Sequence, residues 1–155
     1  MSKQIPASGI TANDASKKGD LGQIYIKESK MYRYFLCKDL TVAAGNVVEY
    51  SSTTGAVTKD RAGGTSIGRT VAGVAVGAVT AGNYGWFQTD GVVDCTVVAN
   101  GVVAAGNLLT AHETSDGSVV VATTSTMKNV FAVALGADTA TTSAAGTVSA
   151  ALIRV

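Results

Sequence analysis

The sequence predicts an all-β protein: a compact β-barrel or β-sandwich built from two related β-modules and preceded by an extended N-terminal arm. Three observations lead to this prediction: a composition of small and β-branched residues, closely spaced turn signals, and an internal repeat. The 155 residues include 18 glycines and one proline, and 46% are hydrophobic against 15% charged. This balance fits one folded domain and excludes a disordered chain or a highly charged helical bundle.

Residues 1–22 are predicted to form the arm, because they are polar and show no sustained hydrophobic period. They also lack the apolar core of a secretory signal. The most apolar stretch, residues 70–82, is interrupted by Gly73 and Gly77 and is shorter than the roughly 18–20 residues that span a bilayer. We therefore expect no membrane partner.

Residues 23–155 are predicted to form a single β-domain of short strands. Residues 32–37 show the alternation of a strand most clearly, since Tyr32, Tyr34 and Leu36 face one way and the residues between them face the other. The same spacing of turn signals is typical of a barrel or sandwich, and it leaves both arrangements open. The predicted strands are 23–27, 32–37, 47–51, 56–59, 71–79, 84–89, 92–99, 108–111, 118–122, 130–135 and 147–155.

An internal repeat divides this domain into modules of approximately residues 38–89 and 100–155, linked by strand 92–99. Four elements recur in the same order, with offsets of 61, 59 and 64 residues. A turn glycine suits these positions because it accepts a positive φ at little cost. The repeated segments are VAAGNVV (42–48) and VAAGNLL (103–109), VAGVAVGA (71–78) and VFAVALGA (130–137), and the Ala-Gly pairs before strands 84–89 and 148–155; the predicted turn glycines are Gly45, Gly82, Gly106 and Gly146.

Between the modules, Asp90-Gly91 predicts a hairpin turn that leads strand 84–89 into strand 92–99. The first of these strands carries the only tryptophan. Tyr84 and Trp86 share one face of it, where they either pack in the core or anchor a contact between subunits.

Charge gives no indication of a nucleic-acid partner. The net charge is +1, although residues 1–69 carry +4 and residues 70–155 carry −3. This mild polarity favours contact between the front half of one molecule and the back half of another. Residues 30–38 interleave basic and aromatic side chains, but a single such strand indicates a half-buried aromatic face rather than a nucleic-acid platform.

No motif in the sequence predicts an enzyme, a metal site, a cofactor or a small-molecule substrate. Residues 63–70 resemble a phosphate-binding loop, but Arg69 replaces its lysine and the flanking segments do not read as strand and helix. His112 is the only histidine. Asp90 and Asp94 fall on one strand face. Such residues more often face outward to solvent than form a catalytic pair. Cys37 and Cys95 are expected to be buried free thiols.

The order of elements after the arm resembles the small glycine- and alanine-rich virion proteins of tailed bacteriophages that decorate or cement the capsid. The resemblance rests on short motifs and covers nearly the whole chain after residue 22. These motifs are the tyrosine-rich strand 32–35, the AAGN turn at 43–48, the GVAVGA and AGNYGWFQTDG segments at 73–78 and 81–91, the second AAGN turn at 103–109, and the final IRV at 153–155.

This resemblance implies a capsid decoration protein that binds the outer surface of the shell and bridges neighbouring subunits of the major capsid protein. It also implies a homotrimer located on the exterior of the virion. The arm would then lie across the shell through Lys3, Ile5, Ile10, Lys17 and Lys18. Another virion role, as a head fibre or tail component that adsorbs to host carbohydrate, is the alternative.

Overall fold

The structure is a computed structural model that describes residues 9–60, 70–99, 101–138 and 145–153. Within these residues the chain forms ten β-strands, a short 3₁₀ turn at Met127–Asn129 and no α-helix, which confirms the all-β prediction. The strands are β1 (Ile24–Lys27), β2 (Lys30–Cys37), β3 (Val47–Tyr50), β4 (Ala56–Thr58), β5 (Val71–Ala75), β6 (Tyr84–Val97), β7 (Leu108–Ala111), β8 (Val119–Val121), β9 (Ala132–Ala134) and β10 (Gly146–Leu152).

Strand pairing closes twice, which produces two five-stranded barrels. In the first barrel, β2 pairs in parallel with β4, and antiparallel pairs then connect β4 to β3, β3 to β5, β5 to β6 and β6 back to β2. In the second, β6 pairs in parallel with β8, and antiparallel pairs connect β8 to β7, β7 to β9, β9 to β10 and β10 back to β6. Closure matters because it leaves the barrel strands without unpaired edges.

Strand β6 belongs to both barrels. Its first half pairs with β2 up to Asp90, and its second half pairs with β10 from Gly91 onward. The change occurs at a bulge in which Thr89 has no partner on β2, followed by Gly91 at a φ of 91°. The Gln88 side chain donates to the carbonyls of Asp90 and Val92, both at 3.0 Å, and so satisfies acceptors at this bend.

The predicted hairpin at Asp90-Gly91 is therefore wrong. The glycine does adopt a positive φ, as a turn residue would, but the chain bends within one continuous strand of 14 residues. Strand 92–99, which the sequence suggested as a linker, supplies the first strand of the second barrel.

The sequence repeat corresponds to equivalent strands, with β3, β4 and β5 matching β7, β8 and β9. Both AAGN turns have the same internal hydrogen bonds: the Ala43 amide donates to Asn46 Oδ1 at 3.0 Å, and the Ala104 amide donates to Asn107 Oδ1 at 2.9 Å. Three predicted turn glycines adopt positive φ, namely Gly45 and Gly82 at 84° and Gly106 at 85°. Gly146 differs, because it begins β10 opposite Val97 and is not at positive φ.

The two barrels pack together and share part of their core. Phe35, Val48 and Phe87 lie in the core of the first barrel. Val47 and Val74, which pair across β3 and β5, belong instead to the core cluster of the second barrel. The first barrel thus buries one outer face of its β3–β5 pair against the second, which joins the two into one body.

A matched pair of alanine substitutions separates the cost of the turn from the cost of barrel packing. At Gly106 a Cβ meets nothing within 4 Å, so Gly106→Ala should cost only the positive φ, roughly 1–2 kcal/mol of unfolding free energy. At Gly45 a Cβ would lie 2.9 Å from Thr96 Oγ1, so Gly45→Ala should cost a further ~1–3 kcal/mol. Denaturant unfolding of the two variants measures the difference, and equal losses would contradict packing of the first turn on the second barrel.

Candidate functional site

The N-terminal segment of residues 9–22 packs on the first barrel. Asp14 and Tyr84 exchange two backbone hydrogen bonds of 2.9 Å, and the Tyr34 hydroxyl donates to Asp14 Oδ2 at 3.0 Å. Ala12 is buried, and the Asn13 side chain accepts from the Thr80 amide at 3.0 Å. This part of the predicted arm is therefore part of the folded body and not an independent extension.

The predicted capsid-contact residues divide into three groups. Lys17 and Lys18 are exposed, and the Lys18 amide donates to the Tyr34 hydroxyl at 3.2 Å. Ile10 is half-buried and packs against an aromatic cluster. Lys3 and Ile5 lie outside the described residues.

The aromatic cluster consists of Tyr25, Tyr32, Tyr34, Tyr84 and Trp86, brought together by β1, β2 and β6. The rings of Tyr34 and Trp86 are 5.1 Å apart, and those of Tyr34 and Tyr84 are stacked at 6.1 Å. Burial raises the pKa of Tyr34, and its bond to Asp14 adds to the rise while the Lys18 amide opposes it.

This arrangement assigns Trp86 to core packing. Its side chain is only 4% exposed, so it cannot anchor a subunit contact as the sequence allowed, whereas Tyr84 is half-buried. The interleaved strand β2 offers no open stacking platform either, because Tyr32 and Tyr34 are buried.

A groove of about 440 Å³ runs between the two barrels. Lys30, Tyr32 and Gln88 from the first barrel line it, together with Asp94 and Thr96 from the second. Its wall thus combines a base, an acid, an amide and hydroxyls with apolar side chains. Sequence reasoning missed this groove, since it depends on how β6 passes from one barrel to the other.

The sequence placed Asp90 and Asp94 on one face, but Gly91, at a φ of 91°, bends the strand between them. Asp90 is half-buried, and its Oδ1 accepts from the Gly91 amide at 2.8 Å. Asp94 is exposed and lines the groove, whereas Asp90 does not. The structure therefore does not bring them together as a carboxylate pair in the groove.

His112 and the glycine-rich segment are the remaining candidates for chemistry that the sequence offered. The His112 Nδ1 accepts from the amides of Thr114 and Ser115, at 3.2 and 2.9 Å, which orders its hairpin loop. Among the described residues no group of three His, Cys, Asp or Glu side chains is placed to hold a metal ion. The glycine-rich segment at residues 63–69 lies outside the described residues.

Cys37 and Cys95 are both free and buried, as the sequence suggested. Burial raises the pKa of Cys37, and it raises the pKa of Cys95 to about 12. Thiols that stay protonated and enclosed are weak nucleophiles.

Exposed apolar side chains mark further surfaces that sequence reasoning missed. On β1, Ile24 is 50% exposed and Ile26 is 54% exposed. On the second barrel, Val102 is 84% exposed and Leu135 is 51% exposed. Alternation on β1 signals one free face, but no local sequence pattern marks Val102 or Leu135 as exposed.

In the described residues, no helix has the length and apolar character that a membrane span requires.

Comparisons with known proteins give limited similarity. No family model matches the sequence, and no curated protein matches it. Among solved structures, the chain is similar to the N base of the head fibre gp8.5 of bacteriophage phi29. The similarity has a TM-score of 0.47 at 17% identity and covers 81% of this chain and 99% of that one.

The contact between Asp14 and the barrel is open to test. Asp14→Ala removes the acceptor of the buried Tyr34 hydroxyl, so it should lower the unfolding free energy by about 1–2 kcal/mol. Lys17→Ala, in the same segment but exposed, should change it by less than about 0.5 kcal/mol. Denaturant unfolding followed by Trp86 fluorescence measures both, and an unaffected Asp14→Ala variant would mean that the bond between Tyr34 and Asp14 contributes nothing to stability.

Proposed function

We propose that the protein is a structural component of a tailed-bacteriophage virion, and specifically a decoration protein that binds the outer surface of the capsid shell. In this proposal it bridges neighbouring subunits of the major capsid protein and associates with itself as a homotrimer. The resemblance of its motifs to decoration proteins suggests the role. The observation that carries it is a rigid double barrel with exposed apolar side chains on both barrels.

Rigidity supports a bridging role. Two closed barrels joined through β6 and a shared core resist relative movement, so a contact made at one barrel holds the other barrel in place. When many copies bridge adjacent shell subunits, a modest contact at each site adds up to a large stabilisation of the lattice.

Within this proposal, residues 1–8 make the first contact with the shell. The packed segment of residues 9–22 fixes where they leave the body, through Ala12 and Asp14. Lys3 and Ile5 would supply a charge and an apolar anchor, and the exposed Lys17 and Lys18 would add further charge.

The test uses shells of the virus's own major capsid protein, purified without this chain. The full chain should sediment with expanded shells at a fixed number of copies and raise the temperature at which they break. A chain lacking residues 1–8 keeps every contact described for the body, so it should remain folded yet bind at least about tenfold more weakly, the loss of roughly 1.4 kcal/mol.

Glu113→Gln provides a control, since this exposed side chain lies in a hairpin loop of the second barrel and should leave binding unchanged. If the full chain does not sediment with the shells, the decoration role is wrong. If the shortened chain binds as tightly as the full chain, the contact lies on the body instead.

Adsorption to host carbohydrate is a second candidate, and the groove between the barrels favours it. Its mixture of charged, amide and hydroxyl groups beside apolar side chains is the composition that recognises sugar hydroxyls and ring faces. Asp94→Ala should then abolish binding to an array of host surface glycans, while Glu113→Gln should not. Absence of glycan binding by the full chain would remove this candidate.

A further inference from the structure

The groove between the barrels receives one charge of each sign, each from a different barrel. Lys30, at the start of β2, lines it from the first barrel, and Asp94, in the second half of β6, lines it from the second. In the described part of the chain neither side chain forms an ion pair, with the other or with a third residue. The groove therefore offers a cation and an anion that are both available to a ligand.

The bend in β6 fixes where Lys30 lies. A Cβ at Gly91 would lie 3.1 Å from Lys30 Cγ and 3.1 Å from the Ser29 carbonyl oxygen, so the turn between β1 and β2 and the stem of Lys30 pack directly on this glycine. A half-buried lysine packs its stem on the protein and keeps its ammonium group in solvent, here at the groove. The cation is thus held at the junction of the two barrels, where ligand sites are commonly found.

The second barrel contributes a polar strip on two paired strands. Asp94 and Thr96 are two residues apart on β6, so their side chains lie on the same face of that strand. Thr147 of β10 is opposite Thr96 in the strand register and also lines the groove. One carboxylate and two hydroxyl groups therefore lie close together, and the carboxylate accepts hydrogen bonds from an ammonium or hydroxyl group of a ligand.

The buried side chains of the groove carry no charge. Tyr32 and Gln88 are buried and pair across β2 and β6. Ile10 and Val76 pack against the aromatic cluster that contains Tyr32, and both line the groove. These side chains suit the face of a sugar ring, so any selection by charge depends on Lys30 and Asp94.

We propose that the groove binds a zwitterionic sugar, one that carries both an ammonium group and an anionic group such as phosphate. Lys30 pairs with the anion, and Asp94 accepts from the ammonium group. Charge complementarity selects this occupant, because a neutral sugar leaves both protein charges without a counterion and a singly charged sugar leaves one of them so. The inference rests on the carbohydrate candidate of the proposed function, which it narrows, and it does not depend on shell binding.

Four probes built on one sugar ring test this inference: glucose, glucosamine, glucose 6-phosphate and glucosamine 6-phosphate. Each is titrated into the full chain and followed by NMR, at a mildly acidic pH that keeps the amine protonated. Glucosamine 6-phosphate carries both charges, so it should bind at least about tenfold more tightly than glucose, with each of the two partly exposed charge contacts contributing about three- to fivefold. Added salt should reduce this advantage.

Lys30→Met and Asp94→Asn each remove one charge and nearly keep the size of the side chain. Lys30→Met should abolish the preference for glucosamine 6-phosphate over glucosamine, and Asp94→Asn should abolish the preference for it over glucose 6-phosphate. Lys38→Met and Glu113→Gln are the matched controls, since both residues are exposed and do not line the groove, and they should keep both preferences. Circular dichroism checks that all four variants keep the β-fold.

The possible outcomes separate this inference from the carbohydrate candidate. If glucose binds as tightly as glucosamine 6-phosphate, the groove does not select by charge, which overturns the inference and leaves the carbohydrate candidate standing. If both groove variants keep both preferences, the probe binds elsewhere and the inference is wrong. If none of the four probes binds, the inference is also wrong, whereas the glycan array decides the carbohydrate candidate.

Discussion

The structure depends on a single strand that has to satisfy the hydrogen bonding of two barrels. Strand β6 pairs with β2 and β5 in its first half, and with β10 and β8 in its second. One strand has only two edges, so the change of partners needs a bend that leaves no carbonyl unsatisfied in the interior. The bulge at Thr89, the positive φ of Gly91 and the Gln88 amide provide it together. Without this bend the two modules would be separate small barrels with little core of their own.

The shared strand also explains why two turns of the same conformation have different surroundings. Because the first module precedes the shared strand, its AAGN turn faces the second barrel, and Gly45 contacts Thr96. No module follows the second one in the described chain, so its Gly106 turn faces outward. In the first barrel the backbone of Tyr34 is covered by the N-terminal segment, through bonds to Gly22 and Gln23. That segment caps the first barrel much as the first turn caps the second.

Local sequence signals predicted the strands well and the connections less well. The alternation at residues 32–37 predicted β2, and the repeated AAGN turns predicted the equivalent geometry of Gly45 and Gly106. Asp90-Gly91 correctly signalled a positive φ, but a dipeptide does not specify whether the chain then reverses or continues; the partners β2 and β10 decide that. The N-terminal segment shows no hydrophobic period, so its packing could not be predicted. Polar contacts hold it to the body instead, among them the bond between the Tyr34 hydroxyl and the Asp14 carboxylate. The groove and the exposed patches arise from contacts between distant segments, which no local pattern encodes.

Barrel closure also limits where another chain could pair with the strands of this protein. Most backbone groups of the barrel strands are used inside the two closed circuits, so strand addition is possible chiefly at β1. Trp86, the residue type most often found as an interface anchor, is instead packed in the aromatic cluster between β1, β2 and β6. Among the described residues, the large apolar side chains that remain exposed outside the closed barrels, such as Ile26 and Leu135, are therefore not aromatic.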